Sequence, residues 1–404
     1  MSETNGSLNF NHFLFLWFGA AVSVAEIITG GLLAPLGFKA GFLAIVIGHL
    51  IGTTLLVLGG IIGTDGRIPA LVSTRISFGV YGSYLFSLLN VLQLVGWTAI
   101  MIIAAAKSAN ELTKAMWGMD HLQLWTIFIG ILVFLWILLG REGGWKKLNM
   151  LAVFLLFGVT IILSTVVFQD TMLFSQAATG TMTFGEALEL SVVMPLSWLP
   201  LIADYTRFAK NKKSAALGSW LGYFIGSCWM YLIGLGAALA TGNAEPSTML
   251  LSAGLGFSAL GIVILATVTT TFLDAYSAGV SFANIFSKLG ETKIALIMTA
   301  IGTLLALWVD MGQYESFLMA IGSVFAPLFA ILFTDYFLLK TRTLQANLLI
   351  NWSAFGVWVL GVLIYYQILK LNFVFGATIP DMLITALIYT VAQCFTNRFK
   401  RQHI

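Results

Sequence analysis

Carboxyl groups are scarce in the long apolar stretches of this chain, and the few present, with the hydroxyls near them, set its chemistry. Glu26 lies in Ser23-Val24-Ala25-Glu26-Ile27-Ile28-Thr29-Gly30-Gly31, and Asp274 follows Ala266-Thr267-Val268-Thr269-Thr270-Thr271. Asp204, Asp310 and Asp335 lie nearer the ends of apolar segments, and His49 is the histidine well inside one. A charge within a hydrocarbon span costs about 2.5–3.5 kcal/mol on insertion scales, so the few that remain mark a pathway or a binding site. In the Glu26 segment a carboxyl and hydroxyls precede a double glycine, a composition that suits an interrupted helix. Backbone groups freed at such a break can ligate an ion or hold a substrate edge where the break lines a cavity. The competing reading is packing: a buried acid bonded to a neighbouring helix, and His49 as a neutral imidazole bonded in the same way.

Pro195-Leu196-Ser197-Trp198-Leu199-Pro200 supplies a second break, because each proline removes a backbone donor and clashes one turn back. The threonine run reads two ways. Threonines in a membrane helix bond back to the carbonyl three or four residues earlier. Alternatively, Thr269 and Thr270 aim hydroxyl oxygens at carbonyls freed by the first break, giving an all-oxygen site for a monovalent ion that must also leave. Trp97, in Gln93-Leu94-Val95-Gly96-Trp97, and Trp198 fall near the middle of their apolar runs, where anchoring at the membrane interface does not explain them. A flat heterocycle can stack on such rings for about 0.5–1.5 kcal/mol beyond area burial.

The elements that carry these residues follow from composition. Of 404 residues only 9% are charged and 59% are hydrophobic, too little charge to cover a water-soluble globule. The chain is read as an all-α integral membrane protein embedded in the lipid bilayer. Apolar windows predict twelve transmembrane helices near 12–36, 41–63, 82–110, 122–140, 147–168, 187–207, 214–241, 252–286, 292–309, 314–339, 347–369 and 378–397. Sixteen of the 20 Lys and Arg residues fall on one side of this alternation, which predicts a cytoplasmic (inner) membrane protein with both termini in the cytoplasm. Breaks in spans one and six divide the first ten helices into two five-helix repeats. Five is odd, so the repeats are inverted. The expectation is one polytopic domain over 1–404, with repeat one at about 12–168, repeat two at about 187–339 and two additional C-terminal helices at about 347–397.

Several function classes drop out. A soluble enzyme or nucleic-acid binder does not have this composition. No HExxH motif and no catalytic carboxylate pair with histidine occurs, so no enzyme and no cofactor are expected, and no GxxxxGK[ST] loop marks a pump. A channel would show continuous polar stripes, whereas the polar residues here are isolated. Cys228 and Cys394 both lie in apolar runs and make neither a disulfide framework nor a metal site.

Three stretches, Arg75-Ile76-Ser77-Phe78-Gly79 with Gly82-Ser83, Ala203-Asp204-Tyr205-Thr206-Arg207-Phe208, and Phe282-Ala283-Asn284-Ile285, carry a resemblance to the nucleobase:cation symporter-1 family. Its members carry cytosine, purines, allantoin, hydantoins and thiamine-pathway pyrimidines. The Glu26 segment and Pro195–Asp204 look most like its hydroxymethylpyrimidine transporters and, more distantly, cytosine permease. The resemblance implies inverted repeats with discontinuous helices 1 and 6, alternating access, and sodium as coupling ion. It places the family's sodium site on Ala20 and Ser23 and on Ala266, Thr269 and Thr270. The substrate site falls near Val24, on Trp97 with Gln93 or Leu94, on Met194, Pro195, Leu196 and Ser197, and beyond Thr271 toward Asp274. A polar side chain is missing at Val24, Pro195 replaces an aromatic, and the carboxyls Glu26 and Asp274 appear instead, so the ligand edge being read differs.

Chemistry favours an aminopyrimidine. Its ring nitrogen accepts while the adjacent amine donates, and a neutral carboxyl at Glu26 presents the reverse pair. A dioxo ring fits such a group worse, and an unpaired buried polar group costs about 1–3 kcal/mol. The expected protein is a monomeric, sodium-driven symporter of 4-amino-5-hydroxymethyl-2-methylpyrimidine, a thiamine precursor. The alternative is a cytosine or purine symporter coupled to sodium or protons.

Overall fold

In a computed structural model the chain folds into helices, and the structure describes residues 6–139, 145–169, 171–242, 251, 256–286, 288, 290–309, 311–345 and 347–402. The first apolar run forms two helices, α1 (Phe10–Ala21) and α2 (Val24–Leu32). They are separated at Val22 and Ser23, whose ψ angles of 81° and 158° take the backbone out of the helical region. The cause is capping. Ser23 is the N-cap of α2, its hydroxyl accepting the Glu26 amide at 3.4 Å.

The interruption therefore lies several residues before the double glycine suggested by composition, and Gly30 and Gly31 are both helical. The long helix α10 (Lys212–Thr241) explains those glycines. A Cβ on Gly30 would lie 2.2 Å from the Tyr231 carbonyl oxygen, and one on Gly234 would lie 1.9 Å from the Ile27 oxygen. Glycine serves here as the residue that lets α2 and α10 approach backbone to backbone.

The second span is α3 (Gly37–Gly66), followed by the short α4 (Ala70–Ser73) and the 43-residue α5 (Arg75–Trp117). Gly79 breaks the start of α5 with φ +78°, and a Cβ there would meet the Leu348 carbonyl at 2.5 Å. Spans four and five are α6 (Leu122–Leu139) and α7 (Trp145–Val167). The sixth span is divided as Pro195 and Pro200 predict: α8 (Phe184–Ser197) unwinds through Trp198–Leu201 before α9 (Ile202–Thr206). After α10 come α11 (Gly256–Ala283), α12 (Glu291–Ala306) and α13 (Tyr314–Phe333), then α14 (Trp352–Lys370) and α15 (Thr378–Gln402). Asp310 lies outside the described residues.

Among the described residues, taking α1–α2 and α8–α9 as single interrupted crossings gives twelve spans, five of them from the first break up to the second. Five crossings reverse the chain's direction, so the second broken helix runs opposite to the first. Lys212 bonds Asp65 at 2.7 Å, Arg67 donates to the Arg207 carbonyl at 2.8 Å, and the Tyr336 hydroxyl meets Asp65 at 2.8 Å. These basic residues from separate connections share one end of the bundle, as the charge alternation requires.

Candidate functional site

The two breaks meet at one enclosed cavity. Ser23, Ala25 and Glu26 come to it from the first break, Met194 and Trp198 from the second, Trp97 and Met101 from α5, and Thr270 and Asp274 from α11. The free space is about 10 Å³, room for a single water at most, so a six-membered ring enters only when the surrounding helices part. Trp97 sits edge-on to Tyr314 and Phe317 at 6.1 and 5.5 Å, while Trp198 sits edge-on to Trp17 at 5.8 Å. Tyr314 also lines a second cavity of about 200 Å³ with Ile28, Leu32, Lys107 and Glu315, and its hydroxyl meets that of Thr29 at 2.7 Å. It lines that cavity while its ring meets Trp97, which lines the first.

Glu26 is 1% exposed and its carboxyl oxygens are engaged from α10: Tyr223 donates to Oε1 at 2.9 Å and Ser227 bonds Oε2 at 2.6 Å. Ser227 in turn meets His49 Nε2 at 2.6 Å. His49 is thus bonded to a neighbouring helix, as a packing role predicts, but its partner links it to the cavity acid. Both carboxyls singled out in the sequence, Glu26 and Asp274, face the same cavity from opposite helices.

Other residues expected at the site are placed differently. Val24 belongs to an apolar cluster with Ile102, Ile103 and Ala106, because successive helical residues point about 100° apart and the cavity face of α2 is set by Ser23 and Glu26. Pro195 packs toward α3, where a Cβ on Gly52 would meet its Cγ at 2.4 Å. Ser197 donates to the Met194 carbonyl at 2.7 Å, and Gln93 Nε2 donates to the Ser197 carbonyl at 2.7 Å. Gln93 therefore braces the second break from behind, with its Oε1 buried and unpaired.

Thr269 Oγ1 donates back to Leu265 O at 3.0 Å, which is the local pattern for a helical threonine. Thr270 Oγ1 and Thr271 Oγ1 are buried without a hydrogen-bond partner. Of the ion-site residues only Ser23 and Thr270 line the cavity; Ala20 is buried at the end of α1, and Ala266 lies on α11 with its side chain outside the described residues.

Sequence reasoning missed Tyr223, Ser227 and Tyr231, although their i, i+4, i+8 spacing puts three hydroxyls on one face of span seven. It also missed Glu189 in span six. Glu189 Oε2 accepts the Ala377 and Thr378 amides at 2.6 and 2.8 Å, and Oε1 accepts the Tyr365 and Thr378 hydroxyls at 2.6 Å each. A carboxylate on α8 thereby satisfies the amides at the start of α15, a part these contacts define as structural.

Of the three sequence stretches that carried the family resemblance, the first and third meet, and the second caps α4. Arg75 Nε donates to Ser83 Oγ at 3.2 Å, its guanidinium bonds the Asn284 side chain, and Asn284 Nδ2 donates to Ser87 Oγ at 2.9 Å. Asp204 Oδ1 accepts the Ala70 amide at 3.0 Å. These contacts tie α5 to the residue that follows α11, and α9 to α4.

A helical membrane bundle whose two interrupted, oppositely directed spans enclose a polar cavity with stacking aromatics is a transporter, not an enzyme. A family profile described as permease for cytosine/purines, uracil, thiamine, allantoin matches residues 4–391. The chain belongs to this permease family, the nucleobase:cation symporter-1 family. It is 28% identical over 398 residues to the cytosine permease of Escherichia coli strain K12, covering 93% of this chain and 90% of the relative. It is 23% identical over 419 residues to the hydantoin permease of Microbacterium maritypicum, with 94% and 86% covered. Among solved structures, Mhp1, a nucleobase-cation-symport-1 family transporter in a closed conformation with bromovinylhydantoin bound, superposes with a TM-score of 0.83 at 18% identity over 99% of this chain and 96% of that one. A sodium-coupled sialic acid symporter superposes with a TM-score of 0.68 at 13% identity, covering 98% and 91%. These likenesses establish the shared fold.

Proposed function

We propose that the protein is a secondary symporter that takes up 4-amino-5-hydroxymethyl-2-methylpyrimidine, coupled to sodium by alternating access. The observation that carries this reading is the shared cavity of Glu26, Asp274, Trp97 and Trp198 between the two helix breaks. The tryptophans supply apolar faces for a flat ring. The carboxyls supply acceptors and, when protonated, donors for the amine and adjacent nitrogen of an aminopyrimidine edge. The ring is admitted when the Tyr314 side of the cavity opens and is enclosed when Tyr314 returns to Thr29.

Sodium is assigned to the space beside Ser23 and Thr270. The hydroxyl of Thr270 is buried without a partner, and Ser23 occupies the broken backbone across the same cavity. An ion there would hold the first break in the form that also floors the substrate site, so each ligand would tighten the other by the same factor. The basic end of the bundle is read as cytoplasmic, which puts both termini there in the inner membrane, and the working unit is read as a monomer of one polytopic domain.

A second reading, a cytosine symporter, is favoured by the relationship to the E. coli cytosine permease, since cytosine displays the same acceptor–donor edge. A thermal-shift screen of the detergent-purified protein against 4-amino-5-hydroxymethyl-2-methylpyrimidine, cytosine, adenine, uracil and hydantoin, in sodium or potassium, separates the readings. The hydroxymethylpyrimidine in sodium is expected to give the largest stabilisation. A larger shift with uracil or hydantoin would refute the aminopyrimidine assignment, and equal shifts in potassium would refute the sodium assignment.

A further inference from the structure

Lys107 falls inside the third predicted span, 82–110, where a cation is tolerated when it faces a partner or a cavity rather than lipid. It has no ionic partner. Among the described residues the ion pairs are Lys114–Asp120 at 2.8 Å and Lys212–Asp65 at 2.7 Å, which leaves both Lys107 and Glu315 unpaired. What they share is the cavity of about 200 Å³ beside Tyr314. Ile28 and Leu32 line it from α2, Ala104 and Lys107 from α5, and Tyr314 and Glu315 from α13.

This space continues the inner cavity along the same helix faces. On α5 the inner residues Trp97 and Met101 lead to Ala104 and Lys107 in steps of four, three and three, and on α2 Ala25 leads to Ile28 and Leu32 in steps of three and four. Such steps hold one face of a helix. The direction is fixed as well. The Lys210 amide donates to the Leu8 carbonyl at 2.8 Å, so α1 starts at the basic end of the bundle and α2 finishes at the other. The second cavity lies toward that other end and is the outer one where the basic end is cytoplasmic.

The two cavities differ in room. The inner one, with about 10 Å³ free, excludes a ring. An apolar cavity of about 150 Å³ is enough for benzene. The outer one, at about 200 Å³, therefore admits one six-membered ring with small substituents in the same conformation that shuts the inner site.

Its polar groups narrow the ligand. An ammonium can only donate hydrogen bonds, and carboxyl oxygens accept them. An inorganic anion answers Lys107 but not Glu315, and a metal ion answers Glu315 but not Lys107. A flat ring that carries both an acceptor and an amine answers both, and its faces suit the aliphatic side chains and the Tyr314 ring between them.

We propose that the outer cavity is a second ligand site, which holds one aminopyrimidine between Lys107 and Glu315 before the ring passes Tyr314 into the inner cavity. The ring nitrogen accepts from Lys107 and the amine donates to Glu315. The identity of the ligand rests on the aminopyrimidine reading of the inner cavity.

Saturation binding of radiolabelled 4-amino-5-hydroxymethyl-2-methylpyrimidine to the full-length protein in sodium-containing nanodiscs counts the sites. Wild type is expected to bind two equivalents. Glu26→Gln, which alters the inner cavity alone, should keep the outer equivalent. Adding Lys107→Gln or Glu315→Gln to Glu26→Gln should weaken that equivalent about tenfold or more, the loss of one hydrogen bond to a charged group. Adding Lys107→Arg instead should retain it. Because neither side chain sits in an ion pair, these changes leave no charge stranded.

A single saturable equivalent in wild type overturns the outer site, a result that stands even where the variants do not fold. So does an equivalent in Glu26→Gln whose affinity is the same with and without Lys107 and Glu315. Uptake of the same compound by wild-type protein in proteoliposomes keeps the two ideas apart. One equivalent with intact uptake refutes only the outer site, two equivalents without uptake refute only the symporter reading, and no binding refutes both.

Discussion

Replacing Glu26 by Ala and by Gln separates its part in the fold from its part in transport. In Glu26→Ala, Ser227 keeps His49 Nε2 as an acceptor, so the group left without a partner is the Tyr223 hydroxyl, which is 0% exposed. An orphaned buried donor costs about 1–3 kcal/mol. The one methylene removed with the carboxyl, from a site only 1% exposed, adds about 0.8 kcal/mol. The expected loss is therefore about 2–4 kcal/mol. In Glu26→Gln the amide oxygen accepts from Tyr223 and the amide nitrogen donates to Ser227, which then donates to His49, so stability should change by less than about 1 kcal/mol. Adding Tyr223→Phe to Glu26→Ala removes the orphan and should recover about 1–3 kcal/mol, although Tyr223→Phe alone is destabilising. The assay is unfolding of the purified proteins in a fixed detergent, arranged as a double-mutant cycle, with aminopyrimidine uptake per molecule measured alongside. Uptake by Glu26→Gln should fall far more than its abundance. Strict additivity in the cycle would refute the Tyr223–Glu26 coupling, and equal uptake per molecule by Glu26→Gln would reduce Glu26 to a packing residue.

Gly234→Ala forces a methyl group to within 1.9 Å of the Ile27 oxygen and should destabilise the protein by about 1–3 kcal/mol or more, whereas Gly261→Ala, with nothing within 4 Å, should be neutral or stabilising in the same unfolding assay. Replacing Thr269 and Thr270 by Ala should abolish thermal stabilisation by sodium while leaving the ion-free melting temperature nearly unchanged; sodium stabilisation that survives would displace the ion site. Tyr314→Phe removes the bond to Thr29, worth about 0.5–1.5 kcal/mol, and should shift the balance toward the open cavity by about two- to twelve-fold, read as faster alkylation of a cysteine placed at Ala25. Glu189→Ala orphans two amides and two hydroxyls at the junction of α8 and α15 and should prevent accumulation of folded protein, scored by monodisperse yield in detergent.

The class of protein and its crossings are written locally in the chain. Twelve apolar runs, the prolines at 195 and 200, and the isolated carboxyls at 26 and 274 each act through their own neighbours or through the bilayer, so sequence alone yields a helical transporter with two broken spans. The first break shows the limit of that argument. Composition pointed to Gly30-Gly31, but the break is set by Ser23, whose hydroxyl caps α2 by accepting the Glu26 amide, also a local signal. Glycine pairs look alike whether they unwind a helix or admit a neighbouring backbone, and only the position of Tyr231 on α10 decides between them.

The remaining features depend on residues far apart in the chain. His49 and Ser227 are separated by 178 positions, and Glu26 and Ser227 by 201, yet both pairs lie at 2.6 Å. Nothing in the apolar run around His49 distinguishes a ring bonded to a backbone carbonyl from one joined through a serine to a cavity acid. The same holds for Glu189, whose partners lie on α14 and at the start of α15, and for Gln93, turned behind the second break rather than into the cavity. A bilayer rewards any helix for burying its own backbone bonds, so sequence suffices for the spans. A buried polar side chain must be satisfied by whichever helix packs against it, and that choice is made only when the bundle closes.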